Sequence, residues 1–181
     1  MRSLPVFEAP AVLEILPDGR IHGWHGLLFR LGLSPCLLPA HKCASCPVSA
    51  YVSVETEFRD GACLAATLRE LGYEVEEHAE GAHLEGYHGD VRPERAHVIV
   101  RRQHVGPSAN DVGWERTASG SYRAHVSQYD RSATFTAAKQ AELKRRYSRN
   151  LVVKTAAAKG YAIASEKTEG GAIKLVLKRF S

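Results

Sequence analysis

Six of the eight prolines fall in the first fifty residues, as Pro5, Pro10, Pro17, Pro35, Pro39 and Pro47. Each removes a backbone donor and turns the preceding residue away from helical geometry, so no long helix or central strand can run there. "LPDGRI" (16–21) fits a tight turn between two short strands. "GLLFRLGL" is apolar but only eight residues long, and no periodicity is sustained. Residues 1–47 therefore read as an irregular N-terminal arm.

At Tyr51 the pattern changes. Val52, Val54, Thr56 and Phe58 alternate with Ser53, Glu55 and Glu57, the period of two that a half-buried strand requires. Asp60 is placed to cap a helix, Leu64, Leu68 and Leu71 share one helical face, and Gly72 supplies the left-handed stop. "YEVEEH", "HLEGYHG", "AHVIVRR", "VGWERT" and "YRAHVSQY" read as further extended segments, the last two joined by a hairpin turn at "ASGS". A helical stretch follows from about Thr134 to Lys159, with "YSRN" as a possible break because Ser and Asn favour caps over helix interiors. Ile173, Leu175 and Leu177 share one face of a closing strand, paired with "YAIASEK" across a turn at 168–171. The order β-α-β-β-β-β, helix, β-hairpin predicts an α+β fold with an antiparallel sheet and helices on one face. Residues 48–181 read as a single domain.

Charge is unevenly spread. Residues 51–95 hold four basic and eleven acidic groups, whereas residues 96–181 hold sixteen basic and six acidic. Such polarity either steers an acidic partner to the C-terminal half or lets oppositely charged segments attract one another. No apolar run approaches a membrane span. Glu8 and Glu14 interrupt the N-terminal apolar stretch in a way that does not fit a signal peptide, which makes a cytoplasmic location the expectation.

Several segments in order carry a resemblance: "LGYEV", "EGYHG", "AHVIV", "NDVGW", the "GSY" hairpin, "ELKRRYSRN…KGYAI" and "GAIKLVLKR". Over about residues 51–179 the chain resembles the hypothetical chloroplast reading frame thirty-five proteins, domain of unknown function 1257, of bacteria and some plastids. The resemblance brings no catalytic residues. It implies an accessory role beside an AAA-type ATPase. Family members begin with Met-Ser shortly before the first strand, and "VSAY" (48–51) stands in that place. A GUG start codon read from upstream would give Val48, and Met1 is the sole methionine. The expectation is that translation starts at Val48 and that residues 1–47 over-extend the chain.

Chemistry-bearing residues are sparse. Cys43 and Cys46 form a metal knuckle with Cys36 and His41 nearby, but these four lie within eleven residues, and a structural zinc generally takes two well-separated knuckles. Cys63 reads as core. His78, His83, His88, His97, His104 and His125 are scattered without a metal-protease spacing, and His97 and His125 read as surface positions. No nucleophile elbow, P-loop or dinucleotide fingerprint is present. The basic run around "KQAELKRRYSRN" is the best binding candidate, with Lys139, Lys144, Arg145, Arg146 and Arg149 positioned to meet an acidic protein surface. The expected function is a non-catalytic accessory or regulatory protein-binding domain without a cofactor, its partner an AAA-type ATPase. The alternatives are nucleic-acid binding through the same basic helix, and a metal-binding protein or enzyme using clustered His or Cys.

Overall fold

The computed structural model describes Ala11–Gly23 and Tyr51–Arg179. Among these residues the chain forms two antiparallel sheets and four helices, an α+β fold. It divides into two compact units: Tyr51–Leu143, and Ala11–Gly23 together with Lys144–Arg179.

The second of these units contains β1 (Ala11–Ile15), β2 (Ile21–Gly23), β8 (Tyr161–Glu169) and β9 (Ala172–Arg179), in the order β2-β1-β9-β8. Of the residues expected to form an arm, 11–23 are a β-hairpin, with "LPDGRI" as its turn: Leu16 N–H donates to Arg20 O. β1 pairs antiparallel with β9, placing Leu13 opposite Leu175 and Ile15 opposite Ile173. The alternation in "AVLEI" turns Ala11, Leu13 and Ile15 inward. There they join Ile173, Leu175, Leu177, Val152 and Ala156 in one apolar core. Val152 and Ala156 come from the long helix Ala137–Ala158, which "YSRN" does not interrupt. That segment stays helical because Ser148 turns its hydroxyl to Gly19 O and Asn150 Oδ1 accepts from Arg149, so neither competes for the helix backbone. Gly19, at φ +83°, could not take a side chain, since a Cβ would stand 2.9 Å from the Lys144 backbone.

The first unit begins with β3 (Tyr51–Glu55) and α1 (Gly61–Glu70). Asp60 caps α1 as expected: its carboxylate accepts from Cys63 N–H at 2.9 Å. Leu64 and Leu68 are fully buried, as is Cys63 in all but a trace. "YEVEEH" and "HLE" merge into one strand, β4 (Glu76–Glu85), irregular in register between Glu77 and Ala82 where Gly81 takes φ +71°. The single strand satisfies backbone groups that a break would leave unpaired. β5 (Val91–Val100), the short α2 (Arg102–Val105), β6 (Val112–Arg116), β7 (Tyr122–Ser127), α3 (Gln128–Ala133) and α4 (Ala137–Ala158) follow. The sheet order is β3-β7-β6-β5-β4.

One face of this sheet carries Val98, Val100, Val112, Trp114 and Val126, all buried, with Trp114 meeting Phe135 edge-on at 5.8 Å. The opposite face is partly covered by its own β4–β5 hairpin. Gly113 is the reason this works: a Cβ there would lie 2.6 Å from Ala96 Cβ and 2.7 Å from Leu84 Cδ2. The missing side chain lets Leu84, Ala96 and Ile99 form a second small core over the sheet. The coiling brings the outer strands together, since Tyr51 on β3 donates its phenol to Glu85 O on β4.

Candidate functional site

The five cations expected to bind a partner do not share one environment. At about 100° per residue, Lys139 and Arg146 fall on nearly the same side of α4, and both are exposed. Lys144 points elsewhere and is half-buried beside Gly19. Arg145 donates to Gly171 O at 2.9 Å. Arg149 grips Glu166 with both arms, at 3.0 and 2.8 Å. Cys36, His41, Cys43 and Cys46 lie outside the described residues.

The Arg149 hydrogen bond holds the Glu166 carboxyl below its ordinary value of 4.5, against a smaller upward push from burial. A carboxylate with a lowered folded value contributes stability above its unfolded value and loses it as pH falls through the folded one. Glu166→Gln is therefore expected to cost up to about 1 kcal/mol at pH 7, the scale of a partly exposed pair. In urea titrations the difference from the parent should shrink as pH falls below 4.5 and vanish once the carboxyl is protonated in the folded chain as well. A gap that persists there would show that the pair is not its source.

The histidines mostly keep separate partners. His83 Nδ1 pairs with Arg92 O, His104 with Glu74, and His78 with Glu76. His78 and His97 border one open groove of about 630 Å³ together with Arg59, Arg116 and Tyr122. His125, read as a surface position, is buried. Its strand alternation was legible, but the Ser53 and Glu115 side chains that flank its ring were not.

The most organised surface feature is the turn between β4 and β5, Gly86–Asp90. Gly86 N–H donates to Asp90 O at 2.8 Å, and Gly89, at φ +79°, donates back to Gly86 O at 2.9 Å. Tyr87 is 46% exposed and Val91 is 70% exposed. Only two other large apolar side chains, Val12 and Tyr129, are comparably exposed among the described residues. Tyr87 and His88 meet edge-on at 4.9 Å.

Beneath the outward side chains the backbone of this turn is clamped. Tyr87 N–H donates to Asn110 Oδ1 at 3.0 Å, and Arg102 donates to Tyr87 O at 2.6 Å. Glu85 N–H donates to Asp111 Oδ2 at 2.8 Å, and Asp111 N–H returns to Glu85 O at 3.0 Å. Both clamping residues are buried, and both are held in turn. Asp111 takes Arg101 Nη1 at 2.9 Å and Arg102 N–H at 2.7 Å. Asn110 gives its amide to Asp130 Oδ2 at 2.8 Å and to Ser127 at 3.0 Å. Ser127 donates to Asp130, and Thr134 donates to its other oxygen at 2.5 Å. Tyr51 also donates to Asp111 O at 2.9 Å. Burial, then the charges of Asp111 and Asp130, push its phenol far above the ordinary tyrosine range, so it stays a donor.

This arrangement can fix a loop in one conformation; a buried carboxylate that accepts on both oxygens serves as an anchor. The sequence quoted both halves of the clamp, "EGYHG" and "NDVGW", but nothing in their spacing showed that they meet. Asp130 gave no signal, since it falls between the extended "YRAHVSQY" and the helical stretch from about Thr134. No curated protein and no solved structure matches the chain. A family model described as protein of unknown function (DUF1257) matches residues 67–176, more than half the chain and including the turn, both clamping segments and the network below them. The chain therefore belongs to the DUF1257 family of proteins of unknown function.

Proposed function

We propose that the chain is an accessory protein-binding module whose partner seats on the Tyr87–Val91 turn. The observation that carries this is the pairing of exposed apolar side chains with a backbone clamped from beneath. An exposed Tyr and Val are poorly solvated when free. A loop already held in its bound conformation also loses little further freedom on docking, which favours affinity. Tyrosine is among the residues that dominate protein interfaces. The partner surface is an apolar recess that takes the Tyr87 and Val91 side chains. The family resemblance points to an AAA-type ATPase assembly as the partner class.

The test is affinity capture from the native host with the tagged full-length chain, identification by mass spectrometry, and titration of the captured protein. Tyr87→Ala with Val91→Asp is expected to weaken binding at least tenfold, about 1.4 kcal/mol. Unchanged affinity in the turn variant rejects the docking surface. Capture of nucleic acid in place of protein rejects the partner class.

A further inference from the structure

Ser53, His125 and Glu115 form a continuous hydrogen-bonded line across β3, β7 and β6. His125 Nδ1 lies 2.9 Å from Ser53 Oγ, and its Nε2 lies 2.9 Å from Glu115 Oε2. The His125 side chain is 6% exposed and that of Glu115 is 38% exposed. Ser53 itself is exposed.

The sheet register explains the contact. Ser53 stands directly opposite His125, and Val52 and Val54 stand opposite Val126 and Ala124. Thr56 N–H, in phase with Val52 and Val54, donates to Tyr122 O. The amides of even-numbered residues on β3 therefore point toward β7, and those of Tyr51 and Ser53 point away from it. Ser53 and His125 are thus a non-hydrogen-bonded pair, with Cα atoms about 4.5 Å apart and side chains in close contact. β3 ends the sheet among the described residues, so the Ser53 amide faces its edge beside its own hydroxyl.

The direction of the hydrogen bonds follows from donor chemistry. A carboxylate only accepts, so Nε2 carries the ring proton toward Glu115, and Nδ1 is left bare to accept the Ser53 hydroxyl. A nucleophile, a base in contact with it, and a third group fixing the base's tautomer are the parts that activated serines share across unrelated folds.

We propose that Ser53 is a nucleophile for acyl transfer from activated carboxylic esters, with His125 as its general base and Glu115 as the residue that orients the imidazole. Ser53 Oγ bonds to the acyl carbon while its proton passes to His125 Nδ1. The carbonyl oxygen gathers negative charge beside the Ser53 amide, which is positioned to donate to it. The carbon–oxygen bond to the alcohol then breaks, and the alcohol departs with the proton from Nδ1. Water attacks the acyl-serine next, giving its proton to Nδ1. Ser53 leaves as the hydroxyl, and a free carboxylic acid is released. This activity shares no residue with the docking turn and stands or falls separately.

The experiment uses the full chain with a fluorophosphonate probe and with p-nitrophenyl acetate, read by intact mass, peptide mapping and release of nitrophenol. The expected result is a single adduct on Ser53 and nitrophenol release above the buffer rate. Ser53→Ala, a change at an exposed position, should abolish both. His125→Gln should slow labelling at least a hundredfold, the usual scale of general-base catalysis. Circular dichroism checks its folding. If that variant does not fold, Glu115→Gln takes its place, with labelling slowed at least about tenfold through loss of the fixed tautomer. No adduct on Ser53, or labelling that the folded His125 or Glu115 variant leaves unchanged, overturns the proposal.

Discussion

A chain shortened to begin at Val48 is expected to lose the ordered state of its C-terminal hairpin. The deletion removes β1, and with it Leu13 and Ile15, both fully buried against Ile173, Leu175 and Leu177. Each such side chain contributes about 1.5–3 kcal/mol on burial, and the deletion also exposes the leucines of β9 that faced it. The sum is about 5 kcal/mol or more, as large as the whole stability of many small domains. The deletion further strips β9 of a neighbour with which it holds five residues in register. A bare edge with alternating Ile, Leu and Leu invites pairing with another chain. Amide hydrogen exchange reads this directly. Protection of Leu175, Val176 and Leu177 is expected to collapse in the shortened chain, while Val112–Arg116 in the other unit keep theirs. Equal protection of β9 in both chains would mean that the hairpin contributes nothing to its order.

The same residues show where sequence reading reaches its limit. Ala11, Leu13 and Ile15 do alternate with Val12 and Glu14. The run is only five residues long, however, between Pro10 and Pro17, and its partner strand lies about 160 residues further along. Period two identifies a face but not the strand that will cover it. By contrast, β3, α1 and β9 were legible because each carries a pattern long enough to fix its own type and the turn or cap that bounds it. In α4 the apolar positions mislead in another way. Leu143 and Tyr147 lie on one side and Val152 and Ala156 roughly opposite, all four buried. A helix that buries different faces along its length shows no single stripe, and its intervening cations then look uniformly solvated. Arg145 and Arg149 are not, because their acceptors, Gly171 O and Glu166, arrive from the hairpin that follows. His125 was misjudged for a related reason: its own strand gives its face, but not the Ser53 and Glu115 side chains that the neighbouring strands bring against its ring.

Asp130→Ala is expected to be the most damaging single substitution in the Tyr51–Leu143 unit. The carboxylate is fully buried and accepts from Asn110 N–H, the Asn110 side chain, Ser127 and Thr134. Truncation deletes the acceptor but leaves the donors, and Asn110 and Ser127 stay buried with groups that water cannot reach. A net hydrogen bond contributes about 1 kcal/mol, but an orphaned buried donor costs about 1–3 kcal/mol more. Several are orphaned together, so a loss of about 3–5 kcal/mol follows, the range seen when one partner of a buried charged network is removed. For a unit of this size that is a fall in Tm of well over 10 °C. Asp130→Asn separates shape from charge. It keeps the volume and can turn its carbonyl oxygen to Asn110 and Ser127 with its N–H₂ toward the Thr134 hydroxyl, so it should recover part of the loss but not the strength of the charged acceptor. The damage should also reach the turn. Asn110 Oδ1 holds Tyr87 N–H only while its own amide is fixed by Asp130. Folded Asp130→Asn protein is therefore expected to show faster hydrogen exchange at Tyr87 and weaker partner capture, with Tyr87 and Val91 themselves unaltered. A cost within 1 kcal/mol and an unchanged Tyr87 amide would show that the turn keeps its shape without the network, and preorganisation would then no longer account for its binding.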